Sequence, residues 1–156
     1  PEIMYGFGSL EKRIANYSCS ETIDPIIWKL SADTIKNSQE QKLSKVLKIK
    51  EYIEEIEMFA EHSKPFRDVT FKIDNLGNAL NIPRSHLAYL FKHHCNISFV
   101  SYCKYCKIKD AQTLIKEKYL KKNTLDSLSK KVGFISYNTF FISFKKQCGI
   151  SPNKSI

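Results

Sequence analysis

The 156-residue sequence has only 5 Gly and 5 Pro, and no stretch gathers glycines into a loop that would cradle phosphate. It also has no Ser-His-Asp order with a nucleophile turn and no paired carboxylates suggesting a pocket, which argues against an enzyme. No apolar run approaches the roughly 18 residues of a membrane span, and no secretory signal stands at the start, so the expectation is a soluble, cytoplasmic chain. Because it opens on Pro1 rather than Met, it is expected to be a piece of something longer. The five cysteines (Cys19, Cys95, Cys103, Cys106, Cys148) are odd in number, and free thiols are the default reading. Cys103 and Cys106 have C-x-x-C spacing inside a helical pattern, but no second ligand pair follows at zinc-site spacing, so neither metal nor cofactor is expected.

Acidic residues are scarce in one half only. Residues 71–156 hold 4 Asp/Glu against 15 Lys/Arg (net +11), whereas residues 1–70 hold 12 against 10 (net −2), together the +9 of the chain. Such a basic half suits a phosphate-bearing partner. A membrane-surface module is the competing explanation, but the lysines do not form one face of a single amphipathic helix.

What is present is organised around residues 124–152, TLDSLSKKVGFISYNTFFISFKKQCGISP. Leu125, Leu128 and Val132 recur at i, i+3 and i+7, which predicts one buried helical face. Gly133 can accept the positive φ just past a helix end. Ser136 can cap a second helix in which Phe140 and Phe144 share a face. Two helices joined by so tight a turn make a helix-turn-helix, although a plain helical hairpin would show the same stripe. An internal echo favours the first reading. Residues 91–98, FKHHCNIS, match residues 144–151, FKKQCGIS, position for position, and Ile73, Leu76, Leu80 and Ile82 correspond to Leu125, Leu128, Val132 and Phe134, with Ile135 as one extra residue. The chain carries two copies of one unit.

Gly133-Phe134, Ser136, Phe140, Phe144-Lys145, Gly149 and Ser151-Pro152 stand in the register G-F-x-[ST]-x-x-x-F-x-x-x-F-[KR]-x-x-x-G-x-[ST]-P. With two such units joined by a long helix, residues 70–153 resemble the DNA-binding domain of AraC/XylS-type transcription regulators. The resemblance implies an all-α, homeodomain-like fold of two helix-turn-helix subdomains joined by a connecting helix, here preceded by an N-terminal helical extension. The chain departs from the family after Pro152, where Asn153-Lys154-Ser155-Ile156 replaces a usual Tyr-Arg pair, so the last short helix is expected to be cut or degenerate. Lys107 replaces a usual Arg.

The partner so implied is double-stranded DNA, read in two adjacent boxes about one helical turn, roughly 34 Å, apart. By resemblance the base-facing positions are Ser85, Ala88 and Tyr89 in the first recognition helix and Tyr137, Asn138, Phe141 and Ile142 in the second. Asn138 suits a bidentate contact to adenine, the two tyrosines can offer hydroxyls, and Phe141 or Ala88 can touch thymine methyls. Several are apolar where relatives often carry Gln or Arg, so modest, largely electrostatic affinity is expected. The phosphate-contact candidates are Arg84, Lys92, Lys121, Lys122, Lys130, Lys131, Lys145 and Lys146, with the Ser136 hydroxyl and the helix start behind it. His86 is expected to be packed or hydrogen-bonded, and the adjacent His93 and His94 cannot both face one metal from a helix.

In chain order, residues 1–39 read as a linker or arm with short helices, and Trp28 as a packing anchor. PEIMYGFG (residues 1–8) resembles a stretch following the membrane-spanning part of some sensor-linked regulators of this type in Bacteroidetes-like bacteria, which implies an upstream sensor and a parent anchored in the inner membrane; an arm packing on its own domain is the alternative. Residues 40–69 hold the longest predicted helix (40–62), interrupted in its stripe by Lys50; residues 40–53 can pair two chains or pack within one. Glu51, Glu54, Glu55, Glu57 and Glu61 read as a solvated face. Residues 70–97 are the first helix-turn-helix, with Thr70 as cap, residues 71–80 as supporting helix, Asn81 as turn residue, and residues 84–94 as recognition helix burying Leu87, Leu90 and Phe91. Residues 98–123 connect, with Phe99, Tyr102, Cys106, Ala111, Leu114 and Ile115 inward, and residues 124–156 form the second helix-turn-helix. A competing function is a degenerate helix-turn-helix scaffold for protein-protein contacts, supported by Phe141 and Ile142.

Overall fold

The computed structural model describes residues 24–29 and 48–156, so the expectations for the arm other than residues 24–29, for residues 40–47 and for Cys19 lie outside the described residues. The described residues form six α-helices: α1 (Ile49–Ser63), α2 (Ile73–Leu80), α3 (Arg84–His93), α4 (Phe99–Lys116), α5 (Leu125–Lys131) and α6 (Tyr137–Cys148). None is long and apolar enough to cross a membrane. They divide into two compact units: residues up to Ser63 with Lys72–Phe99, and Lys64–Phe71 with Val100–Ile156.

In the first unit, α1 buries Ile49, Ile53, Ile56, Phe59 and Ala60, three or four residues apart, along the stripe that makes it a helix. It packs on α2, which packs on α3, and Leu76, Leu80, Leu87 and Leu90 of that pair are buried. Lys48, just ahead of α1, has φ 48°. A left-handed residue does not continue a right-handed helix, so α1 begins at Ile49; the part of the helix expected over residues 40–47 lies outside the described residues. The longest described helix is the connecting α4, of 18 residues.

The acidic face of α1 also needs correction. Glu54 is 5% exposed, with Lys50 at 3.9 Å one turn away, and half-buried Glu57 accepts a 2.9 Å hydrogen bond from the Trp28 indole. Glu54 is buried and Glu57 accepts from a buried indole, where a solvated face was expected for both. Trp28 is 2% exposed and lies 5.5 Å from the Phe91 ring. Its segment is tied to the end of α3 by an isolated antiparallel bridge with Cys95, and by Lys29 N–H to His94 O (2.9 Å) and Asn96 N–H to Ile27 O (2.8 Å).

The supporting helix starts at Ile73, not at residue 71, and Thr70 does not cap it. The Thr70 N–H and hydroxyl both donate to the Asp68 carboxylate (2.9 and 2.7 Å), closing a local turn, while the Asn75 side chain accepts from Lys72 N–H (2.8 Å) at the true start.

The second unit is built around Ile108, Ala111, Leu128, Val132, Phe134, Phe140 and Phe144. Phe140 and Phe144 are fully buried with ring centroids 5.7 Å apart, and truncating either to Ala is worth about 3–5 kcal/mol. Thr124 caps α5 by accepting from Ser127 N–H (3.1 Å), and Ser136 caps α6 by accepting from Thr139 N–H (3.4 Å). Gly149 ends α6 at φ 79°, and Pro152–Ser155 forms one turn of 3-10 helix where a cut or degenerate helix was expected.

Lys64–Phe71 belongs to this unit through Asp110. That carboxylate, 2% exposed, accepts from Arg67 Nε (2.6 Å) and Nη2 (2.8 Å) and from Lys64 Nζ (3.2 Å). Three charge-assisted bonds offset the cost of burying the carboxylate.

Candidate nucleic-acid interface

The two helix-turn-helix units repeat at the level of hydrogen bonds. In the first turn Ile82 N–H donates to Gly77 O (3.0 Å), and in the second Phe134 N–H donates to Ser129 O (3.0 Å). The left-handed residue is Asn81 in one (φ 56°) and Gly133 in the other (φ 100°). Asn tolerates this region through its short polar side chain. Gly133 has a second reason to lack a side chain, since a Cβ there would meet the carbonyl oxygens of Phe66 and Arg67 at 2.7 Å.

Lys107 secures this second turn. Its ammonium donates to Gly133 O (2.9 Å) and lies 5.4 Å from the Phe134 ring centroid. Burial pulls its pKa below the ordinary lysine value. At the far end of α6, Gln147 Nε2 donates to Tyr105 O (3.2 Å). The recognition helix is thus pinned to α4 near both ends. Sequence reading missed this support, and with it the Asp110 cluster, since these partners lie 26 to 46 residues apart.

With its inner face fixed by Leu87, Leu90 and Phe91, α3 leaves Arg84, Ser85, Ala88 and Lys92 exposed. Tyr89 is half-buried, 4.5 Å from the His93 ring and 5.7 Å from His94. Arg84 Nε lies 3.2 Å from the Asp74 carboxylate, an exposed pair of little strength that leaves the guanidinium available. His86 shares a 3.0 Å hydrogen bond with the Tyr52 hydroxyl.

In α6, burial of Phe140 and Phe144 turns Asn138, Ile142, Lys145 and Lys146 to solvent, while Tyr137 and Phe141 flank them half-buried with rings 6.3 Å apart. Asn138 and Ile142 are one turn apart on one face. Ser136 is exposed at the helix start, its hydroxyl engaged as the cap. Lys121, Lys122, Lys130 and Lys131 are exposed around α5; Lys130 reaches Asp126 at 2.8 Å and Lys131 lies 5.8 Å from the Tyr119 ring centroid. Each unit therefore presents base-directed candidates on one helix with cations on the same unit. The exposed turn residue Ile135 was not among the predicted site residues; only its position as the extra residue of the second copy marked it.

Cys95, Cys103, Cys106 and Cys148 carry free thiols, and burial pushes Cys103 up to about 11 and raises Cys95 and Cys148. Protonated thiols are poor nucleophiles and poor metal ligands. Among the described residues no three His, Cys, Asp or Glu side chains are grouped to hold a metal ion.

A family profile described as a helix-turn-helix domain matches residues 76–155. The Msm operon regulatory protein of Streptococcus mutans is 28% identical over 85 residues, which cover 54% of this chain and 30% of that protein. The chain thus spans under a third of that relative's length. Among solved structures, the C-terminal domain of the two-component response regulator yesN from Fusobacterium nucleatum is 18% identical, with a TM-score of 0.47 over 76% of this chain and 98% of that one. The paired turns, the terminal signature and the family match over residues 76–155 agree: the chain belongs to the AraC/XylS-type helix-turn-helix family and carries its DNA-binding domain.

Proposed function

We propose that α3 and α6 read two adjacent major-groove boxes, so that one chain recognises a bipartite site on double-stranded DNA. The observation that carries this reading is the duplicated turn, which in each unit leaves a solvent-facing stripe on the second helix beside exposed Lys or Arg. Ser85, Ala88, Tyr89, Tyr137, Asn138, Phe141 and Ile142 face bases, whereas Arg84, Lys92, Lys121, Lys122, Lys130, Lys131, Ser136, Lys145 and Lys146 meet phosphates. Phosphate contacts position the protein and base contacts specify sequence. In this reading the chain acts in the cytoplasm as the output part of a longer regulator with a sensor upstream; Ile49 and Ile53 are buried in the chain's own first unit, so that part of the 40–53 stripe is satisfied within one chain.

Substituting Asn138 by Ala tests the division of labour. The variant should lose about 1–3 kcal/mol on the selected site but little on random DNA, whereas Lys145→Ala should weaken both alike and lower the salt slope by about one. Equal losses on specific and random duplexes for both variants would reject these assignments.

A further inference from the structure

Of the isoleucines exposed in the second helix-turn-helix, Ile135 and Ile142 stand at the entry of its recognition helix and on that helix, where a soluble surface gains nothing from them. Ile135 is 85% exposed immediately before the Ser136 cap, and Ile142 is 66% exposed one turn beyond Asn138. Ile135 is also the residue by which the second turn exceeds the first, so this copy alone has an added apolar group at the entry of its recognition helix. Lys145 and Lys146 lie exposed on the next turn of the same helix, in a half of the chain with net charge +11.

We infer that Ile135 and Ile142 are specificity residues that read thymine 5-methyl groups, making the second box an A/T-rich element recognised chiefly by apolar contact, with Asn138 between them on adenine. This rests on the proposed DNA-binding reading. The surroundings favour DNA over a protein occupant. Apolar side chains at the entry of a recognition helix and on its exposed face lie where base edges are met, and the major-groove edge of thymine is the one that offers a methyl group. The flanking lysines match the phosphates on either side of such an edge. The two copies then read by different chemistry, since the corresponding face of α3 offers Ser85 and Tyr89 and no exposed aliphatic larger than Ala88.

The first arm of the test needs no change to the protein. The full chain is titrated with duplexes carrying its selected site, in which each thymine of the second box is replaced in turn by deoxyuridine, which removes only the 5-methyl. One or two replacements should each weaken binding by about four-fold, the worth of one buried methyl, while replacements in the first box have less effect. The exposed-site variant Ile142→Ala should bind the thymine site more weakly and lose the distinction between thymine and deoxyuridine at one position. Equal affinity for thymine and deoxyuridine duplexes, with the selected site still bound, would overturn the inference and leave the DNA-binding reading intact. If Ile142→Ala changed only self-association by sedimentation, the pair would be a protein contact and the inference would fall. Failure to bind any duplex would overturn both.

Discussion

At the scale of single residues, the polar side chain that ties Lys64–Phe71 into the second unit is Asp110. Its carboxylate is buried, and the guanidinium of Arg67 and the ammonium of Lys64 converge on it. Truncation to Ala would leave two cations without their shared partner. Both are about one-third exposed, which lets water recover part of the loss, so Asp110→Ala should cost about 3 kcal/mol in thermal or urea unfolding, the lower end for a broken buried pair. A loss under about 1 kcal/mol would show that the cluster does not hold Lys64–Phe71 in place. None of this was legible in the sequence, because a Lys, an Arg and an Asp separated by 43 to 46 residues carry no local signal. The buried Glu54 escaped for a related reason. Periodicity gives the apolar face, but a carboxylate at its edge looks solvated until its neighbours are known.

At the scale of elements, local rules were sufficient wherever a helix was closed by its own residues. Ser136 and Gly133 act as cap and stop at the expected positions, Thr124 and Gly149 do the same for α5 and α6, and the stripes Leu87-Leu90-Phe91 and Phe140-Phe144 are buried as their spacing predicts. Thr70 failed as a cap because a nearer acceptor, the Asp68 carboxylate, engages both its donors. The two positive-φ glycines separate backbone strain from crowding. Gly149→Ala adds a Cβ into open space and should cost only the left-handed strain, about 1–2 kcal/mol. Gly133→Ala adds the same strain and drives a Cβ to 2.7 Å from two carbonyl oxygens, so it should cost clearly more, about 3 kcal/mol or above. Paired denaturant titrations check the order. Equal losses would mean that Lys64–Phe71 yields freely at the turn.

At the scale of the whole molecule, duplication and charge asymmetry carried the reading. The repeated FK-x-x-C-x-IS segments announced two units, and the basic half coincides with them. The family match covers residues 76–155, the region that holds both turns. What sequence supplied less well is the chemistry of readout. Exposure of Ile135 and Ile142 becomes meaningful only once Phe140 and Phe144 are seen to fill the core.

The central claim is that one chain reads two boxes, and it is tested most directly by selecting bound duplexes from a random-sequence pool at two salt concentrations. The account predicts two enriched boxes with centres about one helical turn, roughly 34 Å, apart, and affinity that falls with salt in proportion to the phosphates engaged. A steep salt dependence with no enriched motif would contradict it, leaving a basic scaffold that binds DNA without reading it.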